Sequence, residues 1–183
     1  MYLQAGVRVA LLVYDDGLDL RTLPWARRLL ALRHVPKGVH KLRTCLTHLP
    51  EFRVFERTWL LDADLRPRGV EDVRRVLALA FGHGIAITSP VIPGSLHRLM
   101  HPSAKCVYRD TDFVEVVAPL ILNAHMDALW SISPRQGQPF FGAEWGMDMV
   151  WCNFLKGVHS VARPCALVDA AHFVHRGAVA RYN

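Results

Sequence analysis

Long hydrophobic runs are missing from this chain. Its apolar stretches, such as residues 7–13, fall far short of the ~20 residues that a membrane-spanning helix needs. No basic segment followed by an apolar one and a small-residue cleavage site opens it, so no secretory leader is expected. Cysteine is sparse. Cys45, Cys106, Cys152 and Cys165 offer no CxxC spacing, which argues against a zinc site or a thioredoxin motif. They are expected to be small buried thiols in a reducing cytoplasm. Basic runs are absent too: Arg27-Arg28, Arg66 with Arg68, and Arg74-Arg75 are short and scattered. With no RNA-binding aromatic motif, zinc finger or basic helix, no nucleic-acid partner is expected. No internal repeat or linker divides the chain.

What is present is a globular composition. Hydrophobic residues make up 51% and charged residues 21%, which excludes a disordered tail, a collagen-like repeat and a disulfide miniprotein. The 183 residues predict one domain over 1–183 that buries a core without staples. A formal charge of +6 suits an anionic ligand, whether a nucleotide, a nucleic acid or an acidic membrane surface, and does not choose among them.

The order of elements follows from periodicity and punctuation. Residues 7–13 read as a buried strand stopped by Tyr14-Asp15-Asp16-Gly17. Pro24 predicts a helix to Arg33, and Val39, Leu42, Leu46 and Leu49 recur at helical spacing until Pro50. Trp59-Leu60-Leu61 is a short strand. Residues 69–81 form an amphipathic helix with Val70, Val73, Val76, Leu77 and Ala80 on one face. Ile85-Ala86-Ile87 starts the next strand, and residues 90–102 read as a long loop of the functional kind. Strands over 105–108 and 113–118 are expected to pair antiparallel. Asn123 is expected to cap a helix to Ser131, and a loop over 134–142 leads to a helix from Glu144 or Trp145 to Lys156. Short strands over 160–163 and 166–168 precede a tail with His172 and His175. Strands alternating with helices predict an α/β fold with a mostly parallel central sheet flanked by helices.

Asp62-Ala63-Asp64 follows an apolar strand directly. Alternate residues of extended chain point the same way, so both carboxylates can face one site. At the carboxyl end of a sheet strand, that site is the expected ligand crevice. Two hard oxygen donors suit Mg²⁺ or Mn²⁺, which bridge phosphates. Glu115 lies in an apolar run, where a buried carboxylate needs a partner: it either pairs with an Arg or faces the site. His172 and His175 are three apart, so in an extended tail only one can serve as a metal ligand.

Five segments in order carry a resemblance. They are Val13-Tyr14-Asp15-Asp16-Gly17, Leu60-Leu61-Asp62-Ala63-Asp64-Leu65, Phe113-Val114-Glu115-Val116-Val117-Ala118-Pro119, Glu144-Trp145-Gly146-Met147-Asp148, and the closing stretch from Val168 to Gly177. Together they resemble a family of plant and bacterial glycosyltransferase-like proteins, long catalogued as a domain of unknown function. The resemblance implies a Rossmann-like, nucleotide-sugar-binding domain of the glycosyltransferase A fold. It implies metal-dependent, inverting transfer of a sugar from a UDP-linked donor to a saccharide or other hydroxyl acceptor. Asp62, Asp64 and His175 would hold Mn²⁺ or Mg²⁺, with Asp64 the direct ligand and Asp62 reaching ribose or metal-bound water. Asp148 would be the base that deprotonates the acceptor, with Glu144 the alternative. Tyr14, Asp15, Lys41, Asp62, Trp145 and Gly146 would contact the nucleotide sugar, with Arg43 the rival to Lys41 for the phosphates. Peripheral membrane contact is expected where the acceptor is membrane-bound. The alternatives are a non-catalytic nucleotide-sugar-binding module of the same fold and, ranked lower, a DxD phosphatase-like hydrolase.

Overall fold

The computed structural model describes residues 1–14, 20–22, 24–36, 41–133 and 146–175. Two strands dominate its centre. β5 (Ile87–Val91) is buried at every position, and β8 (Cys165–His175) is the longest strand described. Successive residues of β5, and of β8 from Cys165 to Asp169, are buried without alternation, the polar Thr88, Ser89 and Asp169 included, as in strands covered on two faces. They pair in parallel from Ile87↔Cys165 to Pro90↔Val168, and the register then shifts to Val91↔His172. Pro90 has no N–H to give to the ladder, and the slip falls immediately after it. The irregularity bends β8, so its second half leaves β5 and pairs with β4 (Leu65–Pro67) at the sheet edge. β7 (Leu120–Leu122) pairs with β5, β3 (Arg57–Trp59) pairs with β7, and β6 (Arg109–Asp110) pairs with β8.

The fold is thus mixed α/β, and the mostly parallel sheet expected from strand–helix alternation needs correcting. In the six-stranded sheet only β5–β8 is parallel, while the four other pairings are antiparallel. Parallel neighbours need long crossovers, whereas β3, β4, β6 and β7 are two or three residues long. The remaining parallel pairing is β1 (Ala10–Val13) with β2 (Ala31–His34), in a separate two-stranded sheet.

β2 overturns the helix expected over 24–33. A 3-10 helix covers Pro24–Arg28, after which the Leu30 N–H bonds the Val9 carbonyl at 2.6 Å and draws the chain into a strand. Nor are 105–108, 113–118 and 160–163 strands. The segment 113–118 is mostly buried but irregular. Its carbonyls still take bonds from neighbours: Val117 from the Asp62 N–H at 3.0 Å, Ala118 from the Trp59 indole at 3.0 Å. Asn123 opens a 3-10 helix (Asn123–His125) before α3 (Met126–Ile132). Its amide does not cap α3: it donates to the Phe52 and Phe55 carbonyls at 2.9 and 2.7 Å.

The helices place the rest. α1 (Lys41–His48) buries Leu42 and Cys45. α2 (Val70–His83) lays Val73, Val76 and Ala80 into the core, as its spacing predicts. The Asp72 carboxylate accepts the Gly69 N–H at its start, and Gly84, at φ 61°, ends it in the left-handed conformation. α4 (Met147–Gly157) buries Trp151, Cys152 and Leu155.

Cys152 and Cys165 form a disulfide, with Cα atoms 5.6 Å apart, that ties α4 to the start of β8. This corrects the expectation of four reduced thiols and removes the cysteine argument for a reducing compartment. Sequence spacing could not reveal the pair, because β8 returns to α4 only through the tertiary fold. Cys45 remains a buried thiol, and burial raises its pKa to about 12. The bridge closes a loop with a sequence separation of 13. Replacing both cysteines with alanine is therefore expected to lower unfolding free energy by about 2–4 kcal/mol. Denaturant titration with and without reductant checks this; a variant as stable as the oxidised parent would show the bridge to be dispensable. Among the described residues, no helix is long and apolar enough to cross a membrane.

Candidate functional site

The chain leaves β3 through Leu60, whose N–H bonds the Pro119 carbonyl at 2.9 Å. It then turns sharply. The Leu65 N–H bonds the Asp62 carbonyl at 3.1 Å, so Asp62-Ala63-Asp64 occupies a turn between β3 and β4. The expectation that extended chain aligns the two carboxylates is corrected in its mechanism but kept in its result. The turn converges them instead.

The third member arrives from far along the chain. β4 pairs antiparallel with β8 in the register Leu65↔His175, which sets His175 beside the Asp64 end of the turn. His175 Nε2 lies 3.0 Å from Asp64 Oδ1. Asp62, Asp64 and His175 each offer one ligand atom, all within 4.8 Å of one another, and all three residues are half-buried. Two carboxylates and one imidazole are together a group that could hold a divalent cation. His172 is not part of this group. Its ring meets the Asp169 carbonyl at 2.9 Å, as opposite faces of a strand require.

Lys41, the first residue of α1, reaches the same turn. Its ammonium lies 2.6 Å from Asp62 Oδ1 and donates to the Val116 carbonyl at 2.8 Å. Arg43 is held elsewhere: it donates to the Ser133 carbonyl at 3.3 Å and lies over the Trp130 ring at 4.2 Å. Of the two basic candidates, Lys41 is therefore the one beside the acidic turn. Its charge compensates Asp62 and leaves Asp64 facing His175.

Asp148 sits in the first turn of α4 and is only 5% exposed. Its Oδ1 accepts the Gly146 N–H at 3.2 Å, and Gly146 adopts φ 96°, a conformation that favours glycine. Asp148 thus has a set orientation at a helix start, where the helix dipole favours its charge. Tyr14 is exposed at the end of β1, in the two-stranded sheet. Asp15, Glu144 and Trp145 lie outside the described residues.

Glu115 is the residue that the sequence left open between two roles. Among the described residues it does not pair with an arginine. Ser95, in the loop after β5, donates its hydroxyl to Glu115 Oε2 at 2.9 Å, and that hydroxyl also accepts the His97 N–H at 3.1 Å. Burial pushes the Glu115 carboxyl above the ordinary glutamate range. The Ser95 bond and the charges of His97 and His175 oppose that rise, and Asp148 adds to it. The segment of Glu115 is itself bound to the acidic turn, since the Val116 carbonyl accepts Lys41 Nζ at 2.8 Å and the Val117 carbonyl accepts the Asp62 N–H at 3.0 Å. The sequence signal was there: a carboxylate within an apolar run.

The sign of its effect on stability follows. The folded chain holds the Glu115 proton more tightly than the unfolded chain, so stability falls as pH rises from the ordinary glutamate range through the raised value. Glu115→Gln is expected to raise the melting temperature at about pH 8 and to give no gain at about pH 4. A pair of thermal melts checks this; an equal gain at both pH values would exclude the buried charge as its cause.

No protein-family model matches this chain, and no curated protein resembles it to a significant degree.

Proposed function

We propose that this protein is a metal-dependent glycosyltransferase, moving a sugar from a nucleotide-sugar donor to a hydroxyl acceptor with inversion. One observation carries the reading: Asp62, Asp64 and His175 meet within 4.8 Å although His175 is more than a hundred residues away in sequence. It is supported by the order of segments that resembles the glycosyltransferase-like family of the A fold, and by a buried, oriented carboxylate, Asp148, at the start of α4.

In this reading Asp64 and His175 hold Mn²⁺ or Mg²⁺, and Asp62, compensated by Lys41, orients ribose or metal-bound water. The metal, when bound, stabilises the negative charge that develops on the leaving nucleoside diphosphate. Asp148 takes the proton of the acceptor hydroxyl as that oxygen attacks the anomeric carbon, because an unaided hydroxyl is a weak nucleophile. Inversion requires the base and the leaving group on opposite faces of the sugar. In this reading the turn between β3 and β4 takes the diphosphate and the first turn of α4 carries the base.

The test is a thermal-shift screen of nucleoside diphosphates and nucleotide sugars, each with and without Mn²⁺. Stabilisation that requires both nucleotide and metal is the expected result, through preferential binding to the folded chain. Stabilisation by nucleotide alone, or by neither, would overturn the reading.

A further inference from the structure

Glu115 has a use that the metal triad and Asp148 do not supply. In the proposed reaction the sugar must lie between a diphosphate at the acidic turn and a base at α4. Glu115 lies beside the first of these by geometry: the Val116 carbonyl accepts Lys41 Nζ at 2.8 Å, that ammonium is 2.6 Å from Asp62, and the Val117 carbonyl accepts the Asp62 N–H at 3.0 Å. It is held in place. Ser95 is 8% exposed and is fixed on both sides, through its hydroxyl to Glu115 and through the His97 N–H to its hydroxyl. The loop carrying Ser95 is itself anchored. The Ile92 N–H bonds the Met100 carbonyl at 2.9 Å, the His101 ring meets the Ser95 carbonyl at 2.8 Å, and Arg109 donates to the Leu99 and His101 carbonyls. The buried Asp169 closes the strap by accepting the Ser103 N–H at 2.6 Å.

Only one Glu115 oxygen is engaged by Ser95. A carboxylate fixed through one oxygen in a partly desolvated position is a strong acceptor for hydroxyl groups through the other. It is a poor partner for a phosphate, which it repels. The chemistry therefore selects a polyhydroxylated ring over a bare nucleotide.

We infer that Glu115, oriented by Ser95, binds the hydroxyls of the donor sugar and positions its ring beside the acidic turn. This rests on the nucleotide-sugar reading above and adds a substrate-contacting residue that the five segments did not assign. Ser95 acts through Glu115 and is a positioning residue.

The two ideas separate by calorimetric titration, in Mn²⁺, of UDP and of UDP-hexoses (glucose and galactose forms). Wild type is expected to bind at least one UDP-hexose more tightly than UDP. Glu115→Gln, which keeps an acceptor for the Ser95 hydroxyl, is expected to weaken that UDP-hexose by roughly tenfold or more while leaving UDP affinity unchanged. Unchanged UDP binding also reports that the variant is folded. Ser95→Ala is expected to shift UDP-hexose affinity in the same direction by a smaller factor. If Glu115→Gln binds both ligands as wild type does, or weakens both equally, the sugar-binding role is overturned and the metal–nucleotide reading stands. Failure of wild type to bind UDP or any other nucleoside diphosphate in the presence of metal overturns both.

Discussion

Asp64→Ala is expected to abolish the stabilisation that nucleoside diphosphate and Mn²⁺ together confer on the protein. Asp64 is the carboxylate that faces His175 at 3.0 Å, whereas Asp62 is already engaged by Lys41 at 2.6 Å. Removing Asp64 leaves one imidazole and one ion-paired carboxylate, too few donors to compete with water for a hard cation. At a ligand concentration of about 100 Kd, binding stabilises the folded state by about 2.7 kcal/mol. For a chain of this size that is a melting shift of about 5–10 °C, and the variant should show none of it. The stability of the unliganded variant should change little, because Asp64 is half-exposed and its pairing with His175 lies at the surface. Retention of the full metal-dependent shift would remove Asp64 from the site. A partial shift that vanishes only on further loss of Asp62 would make Asp62 the primary ligand.

Asp148→Asn is expected to reduce transfer by about 10²- to 10⁴-fold, the usual contribution of a positioned general base. Asparagine preserves shape, and its side-chain oxygen can still accept the Gly146 N–H, so α4 should start where it does now. What is lost is the ability to take a proton. The measurement is turnover of a nucleotide-sugar donor with a saccharide acceptor, beside calorimetric binding of the nucleoside diphosphate with Mn²⁺. Turnover should fall while nucleotide affinity stays. Transfer at the wild-type rate would dismiss Asp148 as the base. A wild-type protein that binds the donor with metal and transfers nothing would instead identify the binding module of the same fold.

The two experiments address two separate places, and the structure explains why they can be separated. Asp64 depends on a turn and a strand register, and Asp148 depends on a helix start. The disulfide ties α4 to β8 at Cys152 and Cys165, and His175 lies at the other end of β8 from that bridge.

Much was legible from local pattern. α2 appears where Val73, Val76 and Ala80 repeat at helical spacing, because that repeat makes one buried stripe and only a helix can present it. α4 runs close to its expected range, and glycines punctuate both helices. The Asp62-Ala63-Asp64 motif declared itself by two acids directly after an apolar strand, a placement that burial alone does not favour. The 24–33 segment misled because Leu29, Leu30, Ala31 and Leu32 suit a helix and a strand about equally, and the partner that decided the matter was Val9.

The sequence by itself offered the candidates: the acidic pair, two histidines in the tail, an acidic residue at a helix start, and Glu115 stranded in an apolar run. The tertiary structure decided which of them meet. It chose His175 over His172 through the register Leu65↔His175, and it placed Lys41, with Arg43 held elsewhere, at Asp62. It paired Cys152 with Cys165 and gave Glu115 to Ser95 rather than to an arginine. It also made the sheet mixed, since strands of two or three residues take whichever partner the folded chain brings alongside. The physical reason is common to all of these. Periodicity and capping act over one or two helical turns, whereas register, ion pairing and disulfide geometry depend on residues that only the completed fold brings within a few ångströms.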